Sequence, residues 1–338
     1  MKFFRLFFLI LISFYFSCNS ASVVEEASYT LHLPEGFPEP DYPKDNALTA
    51  ARVALGKRLF YDPLLSRDSS ISCNSCHKQA HAFSDPLAIS PGVAGRLGKR
   101  NAMSLVNLAY TTKANRDGGV PKLDLQAIVP IETEEEMDFT AEEISQRLLQ
   151  DPSYVQLFQE AYERGPDAFT ITRALGAFQR TLLSGNSAYD QYEFQGKKEA
   201  LNASEIRGKE LFFSARLNCS SCHNGFNFTT GEFANNGLYE VYEDNGRRDV
   251  TLAEEDIGRF KIPTLRNIAV SAPYMHNGSL NTLEEVIDHY NQGGKNHPNK
   301  DERIKPLNLT EAEKTDLINF LESLTDSTFL NNPAFFAD

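Results

Sequence analysis

Tryptophan is absent from this 338-residue chain, and only five cysteines occur in it. Histidine is missing from the whole stretch between His81 and His223. Positive charge is also scarce: 33 Lys and Arg face 46 Asp and Glu, leaving a net charge of -13. That balance argues against nucleic acid or an anionic membrane surface as a partner, because both would repel the chain at ordinary salt. A basic or dipolar protein partner fits it better. After residue 18 no apolar run is long enough to cross a bilayer, so the mature protein is expected to be soluble or tethered.

The one strongly apolar stretch is the opening "MKFFRLFFLILISFYFSC", where Lys2 and Arg5 precede a short run of Phe, Leu and Ile. This pattern reads as an export signal over residues 1–17 and predicts a periplasmic or cell-envelope protein. Ser17-Cys18-Asn19-Ser20 resembles a bacterial lipoprotein cleavage site with Cys18 as the lipidated residue, ordinary signal cleavage nearby being the alternative. Residues 18–45 read as a linker: Glu25 and Glu26 are followed by a stretch rich in proline, up to Asp45.

Two later segments repeat each other. "GKRLFYDPLLSRDSSISCNSCH" begins at Gly56 and "GKELFFSARLNCSSCH" at Gly208, each an amphipathic helix, a short loop and then C-x-x-C-H. Between them Ile144 and Leu148, then Tyr154, Leu157, Phe158 and Ala161, then Ile171, Leu175, Phe178 and Leu182 recur at helical spacing. Thr282 with Glu285 and Thr310 with Glu313 form capping-box pairs that open two further helices. The segments Pro86 to Gly98 and Gly225 to Gly258 read as long loops, of the kind that surround something. The expected fold class is mainly α with little β structure: two cytochrome c-like haem-binding domains packed together, at residues 46–200 and 201–325, with a tail at 326–338.

With Cys18 set aside, the cysteines occur only as Cys73-Cys76 and Cys219-Cys222, followed directly by His77 and His223. Two thiols at this spacing can add to the two vinyl groups of haem, and the adjacent histidine is then held beneath the iron as an axial ligand. A disulfide within each pair would close a tiny, strained loop. A zinc ribbon needs its pairs much closer together, and a thioredoxin-like site has no use for the trailing histidine. Covalent haem at both places is the reading that remains.

Each iron then has one further axial position. For the second haem, Met275 in "PYMHNG" is one candidate and Tyr290 another, since Tyr290 shares a helical face with Leu283 and Val286; His276 and His289 are also within range. For the first haem only His81 lies nearby, four residues after His77 on the same side of the attachment site, where it cannot easily reach across the ring. The outer face of the first haem is therefore expected to be open, and an open ferric haem in an oxidising compartment is a peroxide-binding site.

The chain resembles the bacterial dihaem cytochrome c peroxidase family, and in detail its MauG-type branch. The resemblance spans roughly residues 46 to 325. It rests on "ISCNSCH", "RNAMSLVNLAY", "LQAIVPIETEEEM", "NCSSCHNGFNF", "FKIPTLRNIAVSAPYMHNGSL", "TLEEVIDHYNQGG" and "LNLTEAEKTDLINFLESLTD". It implies a catalytic glutamine at Gln126 and an acid/base glutamate at Glu136, which precedes Met137. It also implies a calcium ion between the haems, held by the Asn101 side chain and the backbone carbonyls of Ser271 and Pro273, with Ser271 standing where threonine is more usual. At the second haem it places Tyr290 where peroxidases proper carry methionine; a phenolate stabilises oxidised iron, whereas a thioether favours storing an electron.

The chain departs from the family pattern twice. Arg116 in "NRDGGVPKL" stands where the family has the tryptophan of a "WDG" motif between the haems. The distal histidine loop that closes the first haem in peroxidases proper is also missing, which predicts a site needing no reductive activation. The function implied is an exported dihaem c-type peroxidase that reduces hydrogen peroxide at the first haem, with electrons relayed through the second from a small cytochrome. The alternatives are a MauG-type enzyme that oxidises a partner protein at long range and a non-catalytic dihaem electron carrier.

Overall fold

The computed structural model describes residues 28–337, so the export signal and Cys18 lie outside the described residues. The described chain is built of helices joined by long loops, and its only sheet pairs Phe233–Ala234 antiparallel with Phe260–Lys261. Among the described residues no helix is long and apolar enough to cross a membrane.

Each half is organised by a pair of crossed helices. In the first, Ala50–Tyr61 packs on Ala168–Arg180; in the second, Ala203–Phe213 packs on Glu311–Glu322. Their starts are set by short polar caps. Thr49 and Asp167 accept from Arg52 N and Thr170 N, and Asn202 accepts from both Ser204 N and Glu205 N. Thr310 and Glu313 form the full reciprocal capping box that their spacing predicts. Thr282 does cap the Leu283–Asn291 helix, but Glu285 accepts instead from Asn281 N at 2.5 Å, so that box is only half made.

The repeated glycine explains why the two crossings are alike. A methyl group at Gly56 would strike the carbonyl oxygen of Ala174, and one at Gly208 would strike that of Asp316. Only glycine lets the paired backbones approach so closely. Four residues on, Phe60 and Phe212 fill the space beneath each crossing and are almost fully buried. Phe60 lies against Phe83 and Phe178 with ring centroids 5.9 and 5.2 Å apart, and Phe212 against Phe228 and Phe320 at 6.1 and 5.2 Å. Each such ring contributes about 1.5–3 kcal/mol by leaving water. The duplication in sequence is thus a duplication of core.

The ends of the described chain depart from a simple linker and tail. Phe37 is buried, with its ring 4.7 Å from Phe226 and 6.0 Å from Tyr110, so the segment before residue 46 is packed across both halves. Residues after 325 turn back to the first half, where Phe329 and Phe335 join its apolar core and sit 5.8 and 6.1 Å from Phe83. Buried Asp326 anchors that return by accepting from Gly185 N and Asn186 N at 3.0 and 2.9 Å. A fully buried ion pair also joins the halves: Arg266 grips Asp190 with two hydrogen bonds of 2.8 Å.

Candidate active site

Both C-x-x-C-H segments fold into one tight turn. His77 N donates to Cys73 O at 3.0 Å and His223 N to Cys219 O at 2.9 Å, which gathers two thiols and an imidazole at each turn. No disulfide joins the cysteines within either turn, which leaves both pairs available for thioether attachment.

The histidines are oriented by backbone carbonyls. Nδ1 of His77 lies 2.9 Å from Phe83 O, and Nδ1 of His223 lies 3.1 Å from Phe228 O. A carbonyl can only accept, so Nδ1 carries the proton and Nε2 keeps its lone pair for a metal. Burial lowers both histidine pKa values, that of His223 to about 4, which keeps the rings neutral as ligation requires. Phe83 and Phe228 aim those carbonyls from left-handed backbone, with φ of 55° and 49°. For a bulky residue that conformation costs on the order of 1–3 kcal/mol, and it recurs at the matching place in each half.

A cavity of about 460 Å³ opens above the first turn. Cys73, Cys76 and His77 line it, and so do Gln126 and Glu136, which brings the predicted attachment residues, the predicted catalytic glutamine and the predicted acid/base glutamate into one chamber. The amide oxygen of Gln179, buried in the same wall, has no hydrogen-bond partner within the protein. An unmatched acceptor beside two thiols and a metal-competent imidazole fits a cavity shaped for a bound haem. The long loop after Gly225 contributes Glu243, Asp244 and Asp249 to the wall, so it does surround the first site.

Glu136 faces this cavity, where its side chain is open to the chamber yet crowded by protein behind it. That crowding, and then the negative charge of Glu135, raises its pKa above the usual carboxylate value. Its backbone is held by Glu136 N to Thr133 O at 3.0 Å and by Val93 N to Glu136 O at 2.8 Å. Gly92 packs so closely on the carbonyls of Glu135 and Glu136 that any side chain there would displace them. Gln126 comes from the short Leu123–Gln126 helix and reaches Asn115 Oδ1 only at 3.4 Å, leaving its amide available to the chamber. His81 is turned elsewhere, its Nδ1 3.1 Å from Val270 O.

Near the second turn, Tyr290 is half-buried and its hydroxyl pKa is pushed up to about 12, first by loss of water around it; the Cys222 and Cys219 thiols are close enough to add to the effect. Asn236 Nδ2 lies 3.2 Å from Met275 Sδ, and its side chain is also near enough to the Tyr290 hydroxyl to oppose that rise, so both candidate ligands neighbour one amide. His276 instead stacks on Phe260 with centroids 4.1 Å apart, and His289 Nε2 is engaged by Asn236 O at 3.0 Å. Both behave as structural histidines. Asn236 was not legible in the sequence, since it lies in a loop with no motif.

The calcium donors are not arranged as the resemblance implies. Asn101 Oδ1 accepts from Arg116 Nη2 at 2.9 Å, and Asn101 O from Arg116 Nε at 3.0 Å, so a guanidinium already holds the asparagine. The carbonyl-bearing Ser271 and Pro273 border a second cavity of about 350 Å³. With a guanidinium on its side-chain oxygen, Asn101 as placed here does not fit a divalent cation.

Two duplicated helical cores, each presenting a C-x-x-C-H turn, define a c-type protein with two covalent haems, one of them beside an ionisable carboxyl. Residues 50–199 match the di-haem cytochrome c peroxidase family, and residues 206–325 match the cytochrome c family. The chain is 38% identical to the methylamine utilization protein MauG of Methylorubrum extorquens, over 86% of this chain and 82% of that one. It is 36% identical to the cytochrome-c peroxidase IdrP1 of Denitromonas iodatirespirans, over 86% and 85%. Among solved structures, a MauG-like protein associated with microbial copper homeostasis superposes with a TM-score of 0.86 at 34% identity, covering 91% of this chain and 99% of that one. The chain belongs to the dihaem cytochrome c peroxidase and MauG family of oxidoreductases.

Proposed function

We propose that the chain is an exported peroxidase that reduces hydrogen peroxide at the first haem site, using electrons that enter through the second site from a small cytochrome-like donor. The observation that carries this reading is the shared chamber: Gln126 and Glu136 line the same cavity as Cys73, Cys76 and His77. A bound haem supplies the redox chemistry there, peroxide coordination and electron transfer. His77, oriented through Phe83 O, would hold the haem iron through its free Nε2. Glu136 as carboxylate takes the proton from the inner oxygen of peroxide and returns it to the outer one, which leaves as water. Gln126 orients the peroxide through its amide. Two electrons and two protons complete the conversion of peroxide to two waters. Steady-state oxidation of a reduced small cytochrome c on addition of peroxide tests this; rapid turnover is expected, and none would contradict it.

A second reading is favoured by Tyr290, which lies by the Cys219 and Cys222 thiols rather than in the outer shell of the helix. A tyrosinate on the second haem would tilt the pair toward sharing oxidising equivalents and oxidising a partner protein. In that case the peroxide-treated protein would remain oxidised in the presence of reduced cytochrome c.

A further inference from the structure

The carbonyl that orients His77 belongs to a residue that needs holding. Ala82 and Phe83 both lie in left-handed backbone, with φ of 55°, and both are fully buried. Such a conformation persists only where the surroundings enforce it. Hydrogen bonds close the loop, Lys78 N to Ser84 O at 3.0 Å and Phe83 N to Lys78 O at 2.9 Å, but the Phe83 ring is seated by other rings. Phe60 comes from the first half, 5.9 Å away. Phe329 and Phe335 come from the end of the chain, with centroids 5.8 and 6.1 Å from Phe83 and 5.5 Å from each other.

Polar contacts tie the same two segments. Buried Gln79 donates from Nε2 to Phe329 O at 3.2 Å and to Asn332 O at 3.0 Å, and the Tyr61 hydroxyl donates to Phe335 O. The end segment is itself fixed from the other half, because Asp326 N donates to Asn267 Oδ1 at 2.7 Å and Leu324 is fully buried in the second core. Between Leu324 and Phe329 the chain thus passes from one core into the other. The second turn is built differently. Phe228, whose carbonyl orients His223, packs on Tyr189, Phe212 and Phe320 of its own core, with centroids 4.9, 6.1 and 6.3 Å away.

Resting on the dihaem reading, we propose that residues 326–337 are a positioning element of the first haem site: their phenylalanines seat Phe83 so that its carbonyl keeps hold of the Nδ1 proton of His77. A hydrogen bond at Nδ1 raises the basicity of Nε2, and a more basic axial ligand stabilises ferric iron. Loosening the end segment therefore weakens that bond and raises the midpoint potential of the first haem, leaving the second haem unchanged.

The test is spectroelectrochemistry of the purified dihaem protein, with resonance Raman spectra of its reduced form recorded alongside. In Phe329→Ala, Phe335→Ala and Gln79→Met the potential of the first haem should rise and its iron–histidine stretching frequency should fall, while the potential of the second stays where it was. Phe158→Ala controls for lost packing alone: Phe158 is buried in the same core but packs on Tyr154, so its loss should lower stability without moving either potential. A first-haem potential unmoved in the three contact variants, or moved as far in Phe158→Ala, would overturn the proposal. Gln79→Met removes only hydrogen bonds, so it carries the test if an alanine variant fails to fold. The potentials are read without peroxide, so an absence of turnover would count against the peroxidase reading and not against this one.

Discussion

The amide nitrogen of Asn236 lies 3.2 Å from the sulfur of Met275, and the same side chain is a close neighbour of the Tyr290 hydroxyl, whose pKa it lowers. The two side chains that could close the second haem are thus held side by side, and single substitutions should separate them. Tyr290→Phe is expected to change the ferric electron paramagnetic resonance signal of the second haem, whereas Met275→Leu leaves it as it was. The opposite pattern would give the ligand role to Met275.

Gly56 and Gly208 make a prediction about stability, because each carries the close approach of two helices. Alanine at either position must push the paired backbones apart, an overpacking cost of about 1–3 kcal/mol or more. Gly208→Ala is expected to lower the denaturation midpoint. A midpoint unchanged from the parent would mean that the crossing relaxes freely.

Arg266 and Asp190 are both fully buried, and Asp190→Asn would leave the guanidinium without its carboxylate. Breaking such a pair from one side costs roughly 3–5 kcal/mol. Asp167, bonded to Arg164 on an exposed surface, is a helix cap as well, so Arg164→Ala is the fair surface control and should change stability by under about 1 kcal/mol. Urea denaturation of both variants checks the contrast.

The raised pKa of Glu136 sets the acid limb of turnover. The carboxylate form must accept the peroxide proton, so the rate falls as pH drops through the Glu136 pKa. Because burial raises that pKa, the limb should lie above the roughly 4.3 of a free glutamate. A pH profile of kcat/KM for peroxide locates it. An acid limb at or below the ordinary glutamate value would show that Glu136 is not the titrating group.

Much of this architecture was legible because the chemistry is written twice. The repeated glycine, phenylalanine and C-x-x-C-H turn reported the two cores, and helical spacing placed Ile144, Tyr154, Ile171 and their neighbours in the first of them. What escaped notice depends on groups that sequence does not display. The carbonyls of Phe83 and Phe228 orient the histidines, yet any residue has a carbonyl, and only the left-handed backbone reveals their task. Phe37 sat in a proline-rich stretch that reads as a linker until its ring is found packed against Tyr110 and Phe226. Arg116 could be seen to replace a tryptophan, but its grip on Asn101 is a matter of distance alone.

The central claim is that Glu136 moves the peroxide proton in the first chamber, and Glu136→Gln tests it most directly. The measurement is kcat/KM for hydrogen peroxide with a reduced cytochrome c as donor, on protein whose ferric spectrum matches the parent. The account predicts a loss of about 10²–10⁴-fold together with disappearance of the acid limb. A variant that keeps the parent's rate and pH profile would contradict it.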